Sequence, residues 1–500
     1  MFAALSIMMV AAVLFTFAEA GRTIQLQRAA KQNADSSMES MFARYQIPLW
    51  ENYHLLGLDS SDEDGRLDLG EQEIFLKDIA DKNGKSSFYS NASAINLLRI
   101  KLEAANLNQY TLLTDGDGLV YQELVSSYMK ENAAAIALGK LQEQNTEIEE
   151  LSKQVGEPAK KREAVKELSE KPEISDSESD NSQKNTSPVD EEVAQSLEKT
   201  SSDNPINQVE SIEKKGILAL VLEKDVEVSQ KKIQNPETLV SRREKAEGAN
   251  YNQPKGDIAD RILMEQYFEE VFCSFDKAAT QNVDHRELNY EMEYLLEGKT
   301  SDQENLKEMA EKLVGIREVA NLTYLLTDGT KMSQAESLAI TLAGVTANPV
   351  IIEIVKFGIL ASWAYGESIL DVRALLKGHK IALIKNREEW TLDISSIGAI
   401  GDTFMTAKEC KNGITYAQYI ASLIMVQPLR TIANRALDLT ERSIQHCSGY
   451  EHARLDHIIV QASVDFQYDW KSVFLGIGSI GKGKNQEFTY GYRTQYAYYK

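Results

Sequence analysis

Residues 457–470 read HIIVQASVDFQYDW, with apolar side chains at Ile458, Val460, Ala462, Val464, Phe466, Tyr468 and Trp470. Residues 487–499 read EFTYGYRTQYAYY, with Phe488, Tyr490, Tyr492, Tyr496 and Tyr498 in the same rhythm. A period of two is that of a strand with one buried and one solvated face. The two runs predict an antiparallel hairpin with a long loop over 471–486. Together with the helical periodicity elsewhere they make the chain α+β: a long N-terminal membrane and stem helix, a helical part, and an antiparallel sheet that includes the C-terminal hairpin. A further strand is expected within 96–106, where INLLRIKLEAANLNQYTLLTDGDG (95–118) ends in a Gly/Asp turn.

At the other end, MFAALSIMMVAAVLFTFAEAGR (1–22) carries no charge from Phe2 to Ala18. About 17 residues is the lower limit for a helix that spans a bilayer. Ala18-Glu19-Ala20 resembles a signal-peptide cleavage site, but no Lys or Arg precedes the apolar run. The following GRTIQLQRAAKQNADSSMESMFARY (21–45) continues with helical spacing and no proline until Pro48. We read one retained helix, apolar first and amphipathic after, with Glu19 and Arg22 spaced to pair at its membrane edge. Arg22, Arg28 and Lys31 follow the span, which by the positive-inside rule alone would leave the remainder in the cytoplasm.

Composition bounds the interior. The 500-residue chain is 43% hydrophobic and 26% charged, enough apolar residue for two or three folded units. A net charge of −22 speaks against nucleic acid as a partner. Three cysteines, Cys273, Cys410 and Cys447, form no disulfide framework. Charge and aromatic content divide the chain into a transmembrane helix (1–20), a stem helix (21–47), an N-terminal α+β part (48–140), an acidic linker (141–256), a helical part (257–445) and the C-terminal hairpin (446–500). The linker, typified by EKPEISDSESDNSQKNTSPVDEE (170–192), has almost nothing to bury and is expected to be largely disordered, with a docking segment near 206–232 around Ile217–Leu222. The apolar stretch 333–378 is divided by Pro349 and interrupted by Glu353, Lys356 and Glu367, so it reads as a buried helical hairpin rather than a second membrane passage.

Three motifs bear on chemistry. SSDEDGRLDLGE (60–71) approximates a calcium loop: Asp62, Asp64, Gly65, Asp68 and Glu71 occupy positions 3, 5, 6, 9 and 12, with Ser60 where Asp is required at position 1. The competing reading is an acidic turn. HCSGYEHARLDH (446–457) gathers His446, Cys447, His452 and His457, either zinc ligands or polar turn residues. GIGSIGKGK (476–484) lacks the Ser/Thr and the helix of a phosphate loop and reads as a flexible hairpin tip. No catalytic constellation emerges, and the chain is expected not to be an enzyme. No cofactor is expected beyond calcium at the 60–71 loop.

LNYEMEYLLEGKTSDQENLKEMAEKLVGIREVANLTYLLTD (288–328), ESILDVRALLKGHKIALIKNREEWTLDI (367–394) and GITYAQYIASLIM (413–425) resemble an uncharacterised, membrane-anchored protein family of Firmicutes, a domain of unknown function. So do residues 21–59 and 110–130. A weaker resemblance is to TadE-like pseudopilins of tight-adherence pilus loci. No prepilin cleavage site precedes the apolar run, which departs from that pattern. The resemblance implies a single-pass protein of the cell membrane, its bulk extracytoplasmic despite the basic residues after the span. It implies no catalytic residues. The expectation is a non-enzymatic component of a pilus-like assembly or secretion apparatus, with the membrane and other pilin-like or secretion-apparatus proteins as partners. The alternative is an envelope ligand-binding or calcium-responsive module.

Overall fold

The computed structural model describes residues 2–62, 65–86, 100–132, 138–169, 204–249, 258–278, 286–343, 348–474 and 487–499. In chain order its main elements are α1 (Phe2–Phe42), α2 (Ile47–Tyr53), β1 (Leu58–Asp59), α3 (Leu69–Ser86), β2 (Lys101–Leu112), α4 (Leu119–Asn132), α5 (Leu138–Lys153), α6 (Glu157–Ser169), α7 (Pro205–Glu213), α8 (Ile217–Val221), α9 (Ile258–Val271), α10 (Phe275–Ala278), α11 (Glu291–Glu297), α12 (Asp302–Thr327), α13 (Gly329–Ala343), α14 (Pro349–Leu376), α15 (Tyr416–Val426), α16 (Leu429–Gln445), β3 (Ile458–Lys471) and β4 (Glu487–Ala497). Contacts divide them into two interleaved units. The first takes Met1–Ala134, Glu237–Met264 and Leu429–Lys500; the second takes Ala135–Pro236 and Glu265–Pro428.

The first unit is organised by β3. Its alternating apolar residues form the expected strand, and β2 and β4 both pair with it in antiparallel fashion. β1 adds to its first two residues, on the edge opposite β2. The even-numbered side chains Ala462, Val464, Phe466 and Tyr468 are buried, while Asp465 and Gln467 face away from that core. Against this face lies the second half of α1. Leu26, Ala30, Ala34 and Met38 recur every four residues and are buried, followed by Met41 and Phe42, the stripe by which a helix covers a sheet. Small residues at 30 and 34 bring the helix axis close to the strands. Phe42 closes the far end, its ring 4.5 Å from Tyr496 and 5.1 Å from Tyr498.

The expected strand within 96–106 is present but lies further along, at Lys101–Leu112, and Ile95–Arg99 lie outside the described residues. Its register against β3 shifts at three places. The turn after it turns sharply because Gly116, Asp117 and Gly118 all have positive φ. Gly118 has no alternative: at φ +96° a Cβ would stand 2.2 Å from that of Ala433 in α16.

The second unit is helical. α14 is its axis, buried almost continuously from Gly358 to Leu376 and packed by α12, α13, α6 and α7. Pro349 sits in the first turn of α14, where the side chain of Asn348 caps Val350 N–H at 3.0 Å, so the proline begins the helix instead of kinking it. The segment expected to be linker is only partly so. α5 and α6 bury Ile148, Leu151 and Val165, and α7 and α8 bury Ile206, Val209, Ile212, Leu220 and Val221. A few apolar residues at helical spacing suffice to seat otherwise polar helices. Gly358 permits this approach, since a Cβ there would lie 2.6 Å from Val165 Cγ2 and 3.0 Å from Ile206 Cδ1. Residues 170–203, which hold most of the acidic stretch, and residues 475–486, which hold the glycine-rich tip, lie outside the described residues.

The strand phase of β3 is testable. Phe466→Ala should destabilise the first unit by about 3–5 kcal/mol in urea unfolding. Gln467→Ala, one residue on and facing solvent, should stay within about 0.5 kcal/mol of wild type.

Candidate functional site

The first half of α1 is almost wholly exposed. Phe2 is 85% exposed, Ile7 70%, Met9 72% and Phe17 72%. Two helices are long and apolar enough to cross a membrane, α1 and α14, but the most apolar window of α14 is 67% buried within the protein against 11% for α1. At about 1.5 Å per residue the bare segment from Phe2 to Ala18 reaches about 25 Å, close to the apolar thickness of a bilayer.

Where the bare half meets the covered half, a buried junction holds the sheet. Arg22 donates to Glu19 Oε1 at 2.7 Å and to the Lys471 carbonyl at 3.1 Å. The other oxygen of Glu19 accepts the backbone N–H groups of Val473 at 3.0 Å and Phe474 at 2.7 Å. Phe474 then stacks on Phe15, one turn into the bare segment, at 6.5 Å. The expected Glu19–Arg22 pair therefore forms, and it also ends β3 against the stem.

The 60–71 stretch is a tight hairpin. Asp62 N–H bonds the Arg66 carbonyl at 2.7 Å and Asp68 N–H bonds the Ser60 carbonyl at 2.8 Å. Asp62 Oδ1 accepts Arg66 N–H at 2.7 Å; Asp68 Oδ1 accepts Gly70 N–H at 2.8 Å and caps α3. Ser60 is buried, Glu71 faces Arg44 at 3.9 Å, and Asp64 lies outside the described residues. The element entering the loop is β1, not a helix. Among the described residues no three His, Cys, Asp or Glu side chains gather as metal ligands, here or at 446–457. In the latter, His446 Nδ1 meets the Arg442 carbonyl at 2.8 Å, Cys447 meets the Ser443 carbonyl, His452 is exposed, and His457 meets Ser61 Oγ at 3.2 Å.

The second unit holds buried charges that the sequence pattern did not single out. Arg317 and Asn321, one turn apart on α12, reach Asp371 on α14 at 3.0 and 2.9 Å. Lys385 bridges Asp371, at 2.5 Å, and Glu367, one turn earlier. Glu367 also accepts the N–H groups of Thr391 at 3.0 Å and Leu392 at 2.7 Å. Two cations face two carboxylates, and each side chain is 1% exposed or less. The available signal was polar residues four apart on otherwise apolar helices. A second group surrounds α11: Glu293 accepts from Phe275 N–H at 2.9 Å and from Tyr416 Oη–H at 2.7 Å, while its other oxygen is buried without a hydrogen bond. Burial pushes this carboxyl up to about 8.

The second unit also contains a cleft of about 620 Å³, lined by Phe275, Tyr290, Phe404, Arg373, Lys377 and the strand-like run around Val226–Gln230. Its Arg373 is 3% exposed and donates to four carbonyls, of Leu220, Ile400, Thr403 and Met405. With its donors so engaged it staples the wall of the cleft. The volume falls in the range of small-ligand sites.

Two outcomes follow. Asp68→Ala should cost about 1 kcal/mol through the lost cap, with or without calcium in the buffer; a cost seen only with calcium would restore the calcium-loop reading. Glu293 has a folded-state pKa above its unfolded value, so its contribution is complete below about pH 4.5 and is lost as the pH rises towards 8. The stability of the second unit should fall by up to about 1.4 kcal/mol per pH unit over that window. Glu293→Gln should flatten the slope in urea titrations.

A family model described as "Family of unknown function (DUF5702)" matches residues 195–470. No curated protein and no solved structure matches the chain. The matched stretch is more than half of the chain and runs from the linker through β3, so the chain belongs to this family of unknown function.

Proposed function

We propose that the chain is a single-pass, membrane-anchored structural component of an envelope assembly of the pilus or secretion type, with its folded units on the extracytoplasmic side. It works by packing, not by chemical catalysis. The observation that carries this reading is α1: one uninterrupted helix, apolar and bare for its first half, laid on an antiparallel sheet for its second. That is the plan of a pilin-like subunit, in which the same helix anchors the protein and carries its outer part. The basic residues after the span weigh less against this orientation than their number suggests, because Arg22 is neutralised by Glu19 and Lys31 lies over the Tyr492 ring at 5.4 Å. Ala11 and Ala12 leave room for a neighbouring helix inside the membrane. A second reading, an envelope ligand-binding protein, is favoured by the cleft beside Arg373.

The anchor is tested by alkaline carbonate washing of membranes with N-terminal sequencing. The full-length chain should stay with the pellet. Met9→Lys, which puts a charge near mid-span at a cost of about 2.5–3.5 kcal/mol, should release it. A soluble product beginning at Gly21 would overturn the anchor. The assembly reading is tested by Ala12→Cys: oxidation in membranes should trap α1 against another helix, and flanking genes should encode an assembly ATPase and its platform.

A further inference from the structure

The two outer edges of the sheet are treated differently. The β2 edge is blunted. Glu73 of α3 takes the Leu107 N–H at 2.9 Å, the Ala249 carbonyl takes the Tyr110 N–H at 3.3 Å, Asp115 takes the Leu112 N–H at 2.8 Å, and three register shifts break the run. The β4 edge has none of these devices. Its register with β3 is unbroken from Glu487 to Ala497, and among the described residues β4 pairs with β3 alone. Tyr498 N–H bonds the Val460 carbonyl. In an antiparallel ladder the direction alternates, so even-numbered residues bond inward. The N–H and C=O groups of Thr489, Gly491, Arg493 and Gln495 therefore point outward.

The side chains repeat the message. Phe488, Tyr490, Tyr492 and Tyr496 lie on the α1 side of the sheet but are only half-buried, whereas their β3 neighbours Phe466 and Tyr468 are 1% and 0% exposed. A strand placed beside β4 would cover that row. Natural proteins guard long regular edges unless something pairs with them.

We infer that the outer edge of β4 is a strand-addition site for an extended segment of a different polypeptide, apolar at alternate residues. The choice of occupant rests on the anchored reading. β3 runs from the Phe42 end of α1 back to Glu19, so β4 runs parallel to α1. Two copies in one membrane have parallel stems and hence parallel β4 strands. Antiparallel pairing of β4 with its copy would turn one anchor out of the membrane. Parallel pairing about a twofold axis would set each residue level with itself, whereas a parallel ladder needs an outward residue opposite an inward one. Among the described residues the other long edge a copy could offer is β2, which is blunted. A second copy is thus excluded as the occupant. A foreign strand meets both needs of the site: main-chain bonds to the four outward residues and apolar side chains over the tyrosine row.

The test uses the full-length chain in its own cells, with a photo-crosslinking amino acid at Thr489 or at Gln495, both exposed. The two positions should give adducts with one other protein, at sites about six residues apart on a single segment. Gly491→Pro, which removes an outward N–H at a position with open space for a Cβ, should cut the adduct yield by about fivefold or more, the worth of one net hydrogen bond; Gly491→Ala should not. Adducts between copies or within one chain, or adducts from 489 and 495 scattered over unrelated segments, would overturn the proposal without reference to the proline variant. Carbonate washing of the same membranes separates the two readings. Copy-to-copy adducts in washed membranes would sink the edge site and leave the anchor standing, and heterologous adducts on a released chain would do the reverse.

Discussion

A single strand, β3, must be paired along both edges and covered on one face, and the first unit follows from that requirement. Its partners come from distant parts of the chain: β1 and β2 from the N-terminal side, β4 from the C-terminus. Its buried face takes Met38, Met41 and Phe42 from α1. Contacts so far apart in sequence carry a large closure entropy, offset only when the whole sheet forms. The first unit is therefore discontinuous in sequence, and the helical unit is inserted within it. Segment 237–249 returns from that insertion and is clamped to the first unit by Arg243, which reaches Glu441 at 2.7 Å and Asp456 at 2.6 Å.

The helical unit solves a different problem. α14 is long and apolar enough to cross a membrane, yet most of its apolar window is buried within the unit. Glu367 and Asp371 are retained in its buried face because Lys385 and Arg317 neutralise them, while backbone N–H groups bond Glu367 and the Asn321 side chain bonds Asp371. Removing one member of such a set leaves a charge stranded in the core and is costly, even where the intact set adds little to stability. What the set does secure is geometry: it fixes the rotation of α12 against α14 and the path of the chain from Lys385 to Leu392.

How much of this could be read in advance depends on whether the signal was local. The alternation in β3 and β4 was legible because one face of each strand meets the core and the other meets water, and the pairing of Glu19 with Arg22 was legible from spacing alone. The pentapeptide LLTDG shows where locality fails. At 112–116 it ends β2 and enters a turn with positive φ at Gly116, while at 325–329 it joins α12 to α13. In both places the aspartate accepts backbone N–H groups, of Leu112 and Gly248 in one case and of Thr330 and Lys331 in the other. The same five residues thus end a strand in one place and cap the start of a helix in the other, and tertiary context decides which. The 60–71 loop poses a related question. Oxygen ligands at the right intervals do not say whether they converge, and here Asp62 and Asp68 are committed to the hairpin's own backbone. The helices α5 and α6 were obscured because their few buried residues are diluted in a polar composition.

The junction at Glu19 has a mechanical meaning. The sheet is joined to α1 at both ends: where the bare half ends, through Glu19 and Arg22 to residues 471–474, and about six turns of helix further on through Phe42, whose carbonyl accepts the Tyr498 hydroxyl. A helix fastened at two separated points cannot pivot under the sheet. A pull on the outer part would load both fastenings and the apolar stripe between them in shear, with no single bond peeled first. Tension arriving along β4 would pass into the axis of α1, and the first unit would tilt with its stem as one lever.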